Sequence, residues 1–168
     1  MSFQVFEQAI VSPALKHVAE HWNHARGSRA MPSWADIRPS QITAELPLLW
    51  SYKYDRAADA LIGRLAGDQV EKVFGKTFRG SPMSELYPED EFPQMFARFK
   101  RVVCEPALYR TEGMVFKFVD HYGHGERIAM PLAGDGIIGD GILGATQYQS
   151  VGGKPAVGLP ETEAWFSL

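Results

Sequence analysis

Cysteine is all but missing from this sequence of 168 residues: Cys104 stands alone, so no internal disulfide can form and the expected setting is a reducing one, the cytoplasm. Basic excess is absent as well. A formal net charge of −3 leaves no surplus of cations to neutralise phosphates, which argues against nucleic acid and an anionic membrane as partners. No apolar run is long enough to span a bilayer, and the opening "MSFQVFEQAIVSP" lacks a basic n-region and carries Glu7 where a signal peptide needs apolar residues. Catalytic signatures are equally scarce. There is no G-x-S-x-G elbow, no P-loop and no CxxC, and the chain is expected not to be an enzyme. The one basic run, Arg98-Phe99-Lys100-Arg101, fits a solvated helix face.

Two motifs invite a stronger reading than they support. "HVAEHWNH", His17 to His24, contains His17-x-x-Glu20-His21, the spacing of an inverted zinc peptidase in which two histidines hold Zn²⁺ and the glutamate activates water. The same stretch lies in a helix that starts with Ser12 as N-cap and Pro13 at the first helical position and stops at Gly27. About 100° per residue puts His17, Glu20, His21 and His24 largely on its polar side, and a zinc site would still need a third ligand such as Glu85, Glu89 or Glu91. No metal site is therefore expected, and a zinc hydrolase is a remote alternative. "GDGIIGDGILG", residues 134–144, shows the dinucleotide-binding G-x-G-x-x-G spacing twice, but "ILGATQYQ" after it has strand composition, so a turn between antiparallel strands is expected.

The remaining periodicities outline one α+β domain. Val11, Leu15, Val18, Trp22 and Ala25 are spaced by fours and threes, a coiled-coil-like seam expected to pair two copies of the chain as a homodimer. A Pro-punctuated connector runs to Pro47, and "LLWSYKY" and "ALIGRLAG" read as two antiparallel strands. "DQVEKVFG" and "SPMSELYPED" offer short helices, and "EDEFPQMFARFKRVVCE" a clear amphipathic one, with Cys104 at its end where a small buried side chain is expected. "ALYRTEGMVFKFV", "ERIAMPLAG" and "GILGATQYQ" supply three more strands; Pro131 suggests a bulge or an edge, and His121 and His124 fall in a hairpin loop. The expected divisions are an N-terminal helix with its wrapping connector over 1–47, the domain over 48–150, and a tail over 151–168 whose Trp165-Phe166 either docks or is disordered.

Trp22, Arg26-Gly27, Met31-Pro32, Asp36-Ile37, Pro39 and Leu46-Pro47 come in a telling order, followed by Arg64-Leu65-Ala66-Gly67, Phe74-Gly75, Gly80, Leu86, Pro131-Leu132, Gly136 and Ile142-Leu143-Gly144. In that order, over roughly residues 15 to 150, the sequence resembles a PAS domain, more narrowly the small stand-alone PAS-like family of alphaproteobacteria. The resemblance implies a five-stranded antiparallel sheet in the order 2-1-5-4-3 with helices on one face, preceded by the N-terminal helix. It also implies a sensory or protein-interaction module. Two uses are expected: binding of a small molecule whose change is passed to an unidentified signalling protein, or a ligand-free dimerising adaptor with a filled core. No output segment is read within these residues, so the signal is expected to leave through another protein. The resemblance carries no catalytic residues. It leaves the cofactor open: haem-ligating histidine or flavin-reactive cysteine would sit on the helical side, and residues 67–103 contain neither. A pocket is expected between sheet and helices, lined by Phe74, Tyr87, Phe92, Phe96 and Phe99 against Phe116 and Met130, with Arg64 placed to anchor an acidic ligand.

Overall fold

The computed structural model describes residues 2–117, 121–153 and 162–168. Helices α1 (Ser2–Ala9) and α2 (Pro13–Arg26) are followed by three short 3-10 turns between Trp34 and Leu48. Strands β1 (Leu49–Asp55) and β2 (Ala60–Ala66) come next, then helices α3 (Asp68–Phe74), α4 (Met83–Leu86) and α5 (Phe92–Cys104). Strands β3 (Ala107–Lys117), β4 (His121–Leu132), β5 (Gly141–Gly152) and β6 (Thr162–Ser167) complete the chain. One antiparallel sheet holds all six strands in the order β2-β1-β5-β4-β3-β6. The expected α+β architecture and strand order are there, with β6 added along β3. Residues 162–167, expected to belong to a tail, are thus part of the sheet: Trp165 packs on Tyr109 and Phe166 meets Phe6. None of the helices among the described residues is long and apolar enough to cross a membrane.

Both faces of the sheet are covered. On one, α1 and α2 bury Phe3, Phe6, Leu15, Val18 and Trp22 against Leu108, Ile128, Met130, Leu132, Leu143 and Ala145. On the other, α3 to α5 bury Val70, Met95, Phe99, Val102 and Val103 against Trp50, Tyr52, Tyr109, Ala129 and Ile142. Strand alternation sorts these sets: even residues of β4 from Glu126 to Leu132 turn towards α1 and α2, whereas Arg127 and Ala129 turn towards α5. Helix α5 binds through its buried Met95, Phe99, Val102 and Val103 stripe, and its basic run fastens neighbours outside that stripe. Arg98 pairs with Glu163, Lys100 with Asp59, and the Arg101 guanidinium lies 4.0 Å from the Trp165 ring centre. Cys104 is exposed, not buried as expected, because the stripe ends one residue before it.

The expected dimer seam is corrected here. Leu15, Val18 and Trp22 have no exposed surface and Ala25 packs on the same cluster, while Val11 points to solvent. The seam meets this chain's own sheet and leaves no such stripe for a second copy. Helix α2 begins as expected, with Ser12 Oγ accepting from the Leu15 N–H, and ends at Gly27. The histidine face is only partly a surface. His17 Nδ1 lies 2.9 Å from Glu45 Oε1, and that hydrogen bond, helped by the charges of Glu45 and Glu20 against some burial, raises the imidazole pKa. His21 is buried under the connector and its Nε2 accepts the Arg38 N–H. Burial, reinforced by the charges of His17, His24 and Arg38, keeps it neutral. One nitrogen of each of these two histidines is thus engaged within the chain, and no three-ligand cluster forms among the described residues.

The glycines of "GDGIIGDGILG" have a packing reason. A Cβ on Gly144 would lie 2.1 Å from the Trp50 ring, and one on Gly139 would lie 2.2 Å from the Val103 carbonyl oxygen. Asp135 Oδ1 accepts the N–H groups of Ile137 and Ile138, and Asp140 accepts that of Gly134, closing a turn between β4 and β5. Pro131 stands in an interior strand, not at an edge. Pairing with β3 stops at Ala129, so no β3 carbonyl awaits its missing N–H. His121 and His124, expected in a hairpin loop, lie in β4, opposite Gly152 and Gln149; residues 118–120 are outside the described residues.

Candidate ligand cavity

Alternation along β1 sends Trp50, Tyr52 and Tyr54 to the α5 face. Near β1 and β2 these rings fill the space: Trp50 stacks on Phe99 at 4.8 Å, Tyr52 lies 5.0 Å from Phe78, and the Trp50 indole N–H donates to Thr146 Oγ1. Towards β3 and β4 the filling stops. Helices α3, α4 and the start of α5 stand off the sheet there and border a cavity of about 530 Å³ that opens to solvent, within the usual size range for small-molecule sites. Its walls include Phe74, Tyr87, Met95 and Phe116, with Glu91 and Arg127 among the charged groups. A bulge in β3 between Met114 and Phe116 brings Phe116 beneath the Arg127 guanidinium, 4.9 Å from ring centre to cation. Phe74 meets Tyr87 edge-on at 5.2 Å and Phe116 at 6.2 Å, so the three rings form one aromatic wall.

Deeper in, a void of about 10 Å³ is bounded by Trp50, Tyr52 and Phe78 and shares Phe74, Tyr87, Phe116 and Arg127 with the larger space. It has room for about one water-sized atom. The Tyr52 hydroxyl oxygen is buried here and has no hydrogen-bond partner among the described residues. An unmade hydrogen bond of this kind costs about 1–3 kcal/mol, which is why such groups are rare. Burial, with a smaller contribution from Tyr87 and opposed by Arg127, pushes the Tyr52 hydroxyl well above its ordinary range. Burial raises Tyr87 as well, against the pull of Arg127. Both phenols are therefore protonated donors at neutral pH. At the mouth, burial raises the Glu91 carboxyl and Asp90 adds to the rise, while Lys117 and Arg127 oppose it.

Of the residues expected to line the pocket, Phe74, Tyr87 and Phe116 do. Phe99 sits in the adjoining core against Trp50, and Phe92 and Phe96 stack on each other at 5.4 Å along α5, away from the cavity lining. Met130 is corrected to the opposite face, in the cluster with Trp22. Arg64 also leaves the cavity: pairing between β1 and β2 shifts register after Ser51, and its guanidinium lies over Trp34, 4.8 Å from the ring centre. The inward arginine is Arg127 instead. Two residues escaped the sequence reading, and each left a trace. Tyr52 belongs to the W-x-Y-x-Y alternation of "WSYKY", and Arg127 occupies the same strand parity as the inward Ala129.

Comparison with protein families gives one finding: the family model described as PAS domain matches residues 10–145, most of the chain. No curated protein matches, and no solved structure matches.

Proposed function

The chain belongs to the PAS domain family, and from that premise we propose that it is a sensory module, binding a small molecule between its sheet and the α3–α5 layer and passing the change to a partner protein. It acts in the cytoplasm as a binding module and not as an enzyme. One observation carries this reading: the cavity of about 530 Å³ shares Phe74, Tyr87, Phe116 and Arg127 with a small inner void, in which the buried Tyr52 hydroxyl lacks a partner among the described residues. A core that served only as packing would gain by filling the inner void and sparing the Tyr52 hydroxyl, because interiors are filled to near-crystalline density. The adaptor alternative relied on the α2 seam, which the chain's own sheet occupies.

Tyr52→Phe tests the reading, since it deletes an oxygen that bonds to nothing among the described residues. In protein stripped of small molecules by unfolding, dialysis and refolding, the variant is expected to be more stable than wild type by about 1 kcal/mol in urea titration. As-purified wild type carries the added stability of its ligand, and the order reverses. The same order and the same gap in both preparations would sink the proposal.

A further inference from the structure

Arg127 is a buried cation without an acid. Only 3% of its surface is exposed, and among the described residues no carboxylate forms an ion pair with it. Its Nε donates to Thr146 Oγ1 and its Nη2 to the Val115 carbonyl, which leaves Nη1 without a hydrogen bond among the described residues. A buried charge of this sort is costly unless an opposite charge reaches it. The Phe116 ring below offers a partial counter-field only. Glu91 borders the same cavity yet makes no ion pair with the guanidinium, and the rest of the lining is not acidic in balance: Lys76, Arg98 and Lys117 stand against Asp90 and Glu91. Arg98 is already matched by Glu163.

Two donor groups thus border the inner chamber: the unpartnered, buried Tyr52 O–H, on a side chain 1% exposed, and the Arg127 guanidinium, which also lines the larger cavity. The void between the walls admits about one oxygen-sized atom. That combination asks for an acceptor with negative charge, small at its tip. A phosphoryl group, bulkier and more highly charged, would leave oxygens without donors. The neighbouring Phe74, Tyr87 and Phe116 rings suit a flat apolar body. We propose that the cavity takes a small aromatic carboxylic acid as its anion, with one carboxylate oxygen between Arg127 and Tyr52 and its ring against the Phe74, Tyr87 and Phe116 wall. This assignment rests on the sensor reading above and adds the chemical class of the ligand.

Titration calorimetry of the stripped protein with benzoate, phenylacetate and indole-3-acetate, each beside its primary amide, tests it. At least one acid is expected to bind tenfold or more tightly than its amide, because the amide removes the charge and keeps the shape. Tyr52→Phe is expected to weaken that acid about tenfold while unfolding as cooperatively as wild type. Acids and amides that bind alike, or acids that do not bind at millimolar concentration, overturn the ligand class, and the sensor reading then stands or falls on whether the as-purified protein carries another molecule. Equal acid affinity in wild type and Tyr52→Phe overturns the placement in the inner chamber.

Discussion

Trp22→Ala is expected to remove about 3–5 kcal/mol of folding stability, the usual cost of emptying a large aromatic site. Trp22 has no exposed surface, stacks on Phe3 at 6.2 Å, and donates its indole N–H to the Pro131 carbonyl at 2.9 Å. It is the side chain through which α2 reaches the middle of the sheet. Domains of this size hold only about 5–15 kcal/mol in total, so the variant is expected to unfold at much lower urea concentration. Trp22→Phe separates the contributions: it keeps most of the packing and leaves the Pro131 oxygen unpaired, at about 1–3 kcal/mol. A loss below 1 kcal/mol in the alanine variant would mean that α2 is not docked as described.

Glu126→Ala is expected to cost about 3–5 kcal/mol by a different route, since it strands a buried cation. The Glu126 carboxylate is 5% exposed; one oxygen accepts from Arg110 and from the Val11 N–H, and the other accepts from the Ser12 N–H at 2.8 Å. It therefore ties the corner between α1 and α2 to β4. Arg110 would keep only Glu112, which is far more exposed. Limited proteolysis is expected to cut at Ile10 to Ser12 in the variant and not in wild type, and replacing Arg110 and Glu126 together with Met and Leu is expected to recover much of the loss. Equal protease resistance in wild type and Glu126→Ala would contradict the latch. Glu126 and Arg127 are adjacent on β4 and turn to opposite faces, so the cavity and the N-terminal helix corner share one stretch of backbone.

Local pattern made most elements legible before any coordinates. The Ser12-Pro13 start and Gly27 stop of α2, the amphipathic α5, and the turn at 134–140 followed from capping, periodicity and glycine chemistry, and they stand as expected. Which face a residue looks towards was less legible, because both faces of this sheet are covered and both strand parities are apolar. Met130 and Arg64 were assigned to the wrong side for that reason; a bulge in β3 and a register shift beside Ser51 change parity without any mark in composition. The seam of α2 was legible as an apolar stripe but not as to its partner, since a stripe packs equally well on a sheet or on a second helix. Helix α1 was missed altogether. Its Phe3, Phe6 and Ile10 spacing is helical, but eight residues offer only two turns of signal.

Native mass spectrometry of the protein as purified tests the central claim most directly, that the space beneath α3 to α5 holds a small molecule. The expected spectrum shows the chain carrying one additional mass of small-molecule size, lost when the same sample is sprayed from denaturing acid. A spectrum of the bare chain under native and denaturing conditions alike would contradict the account.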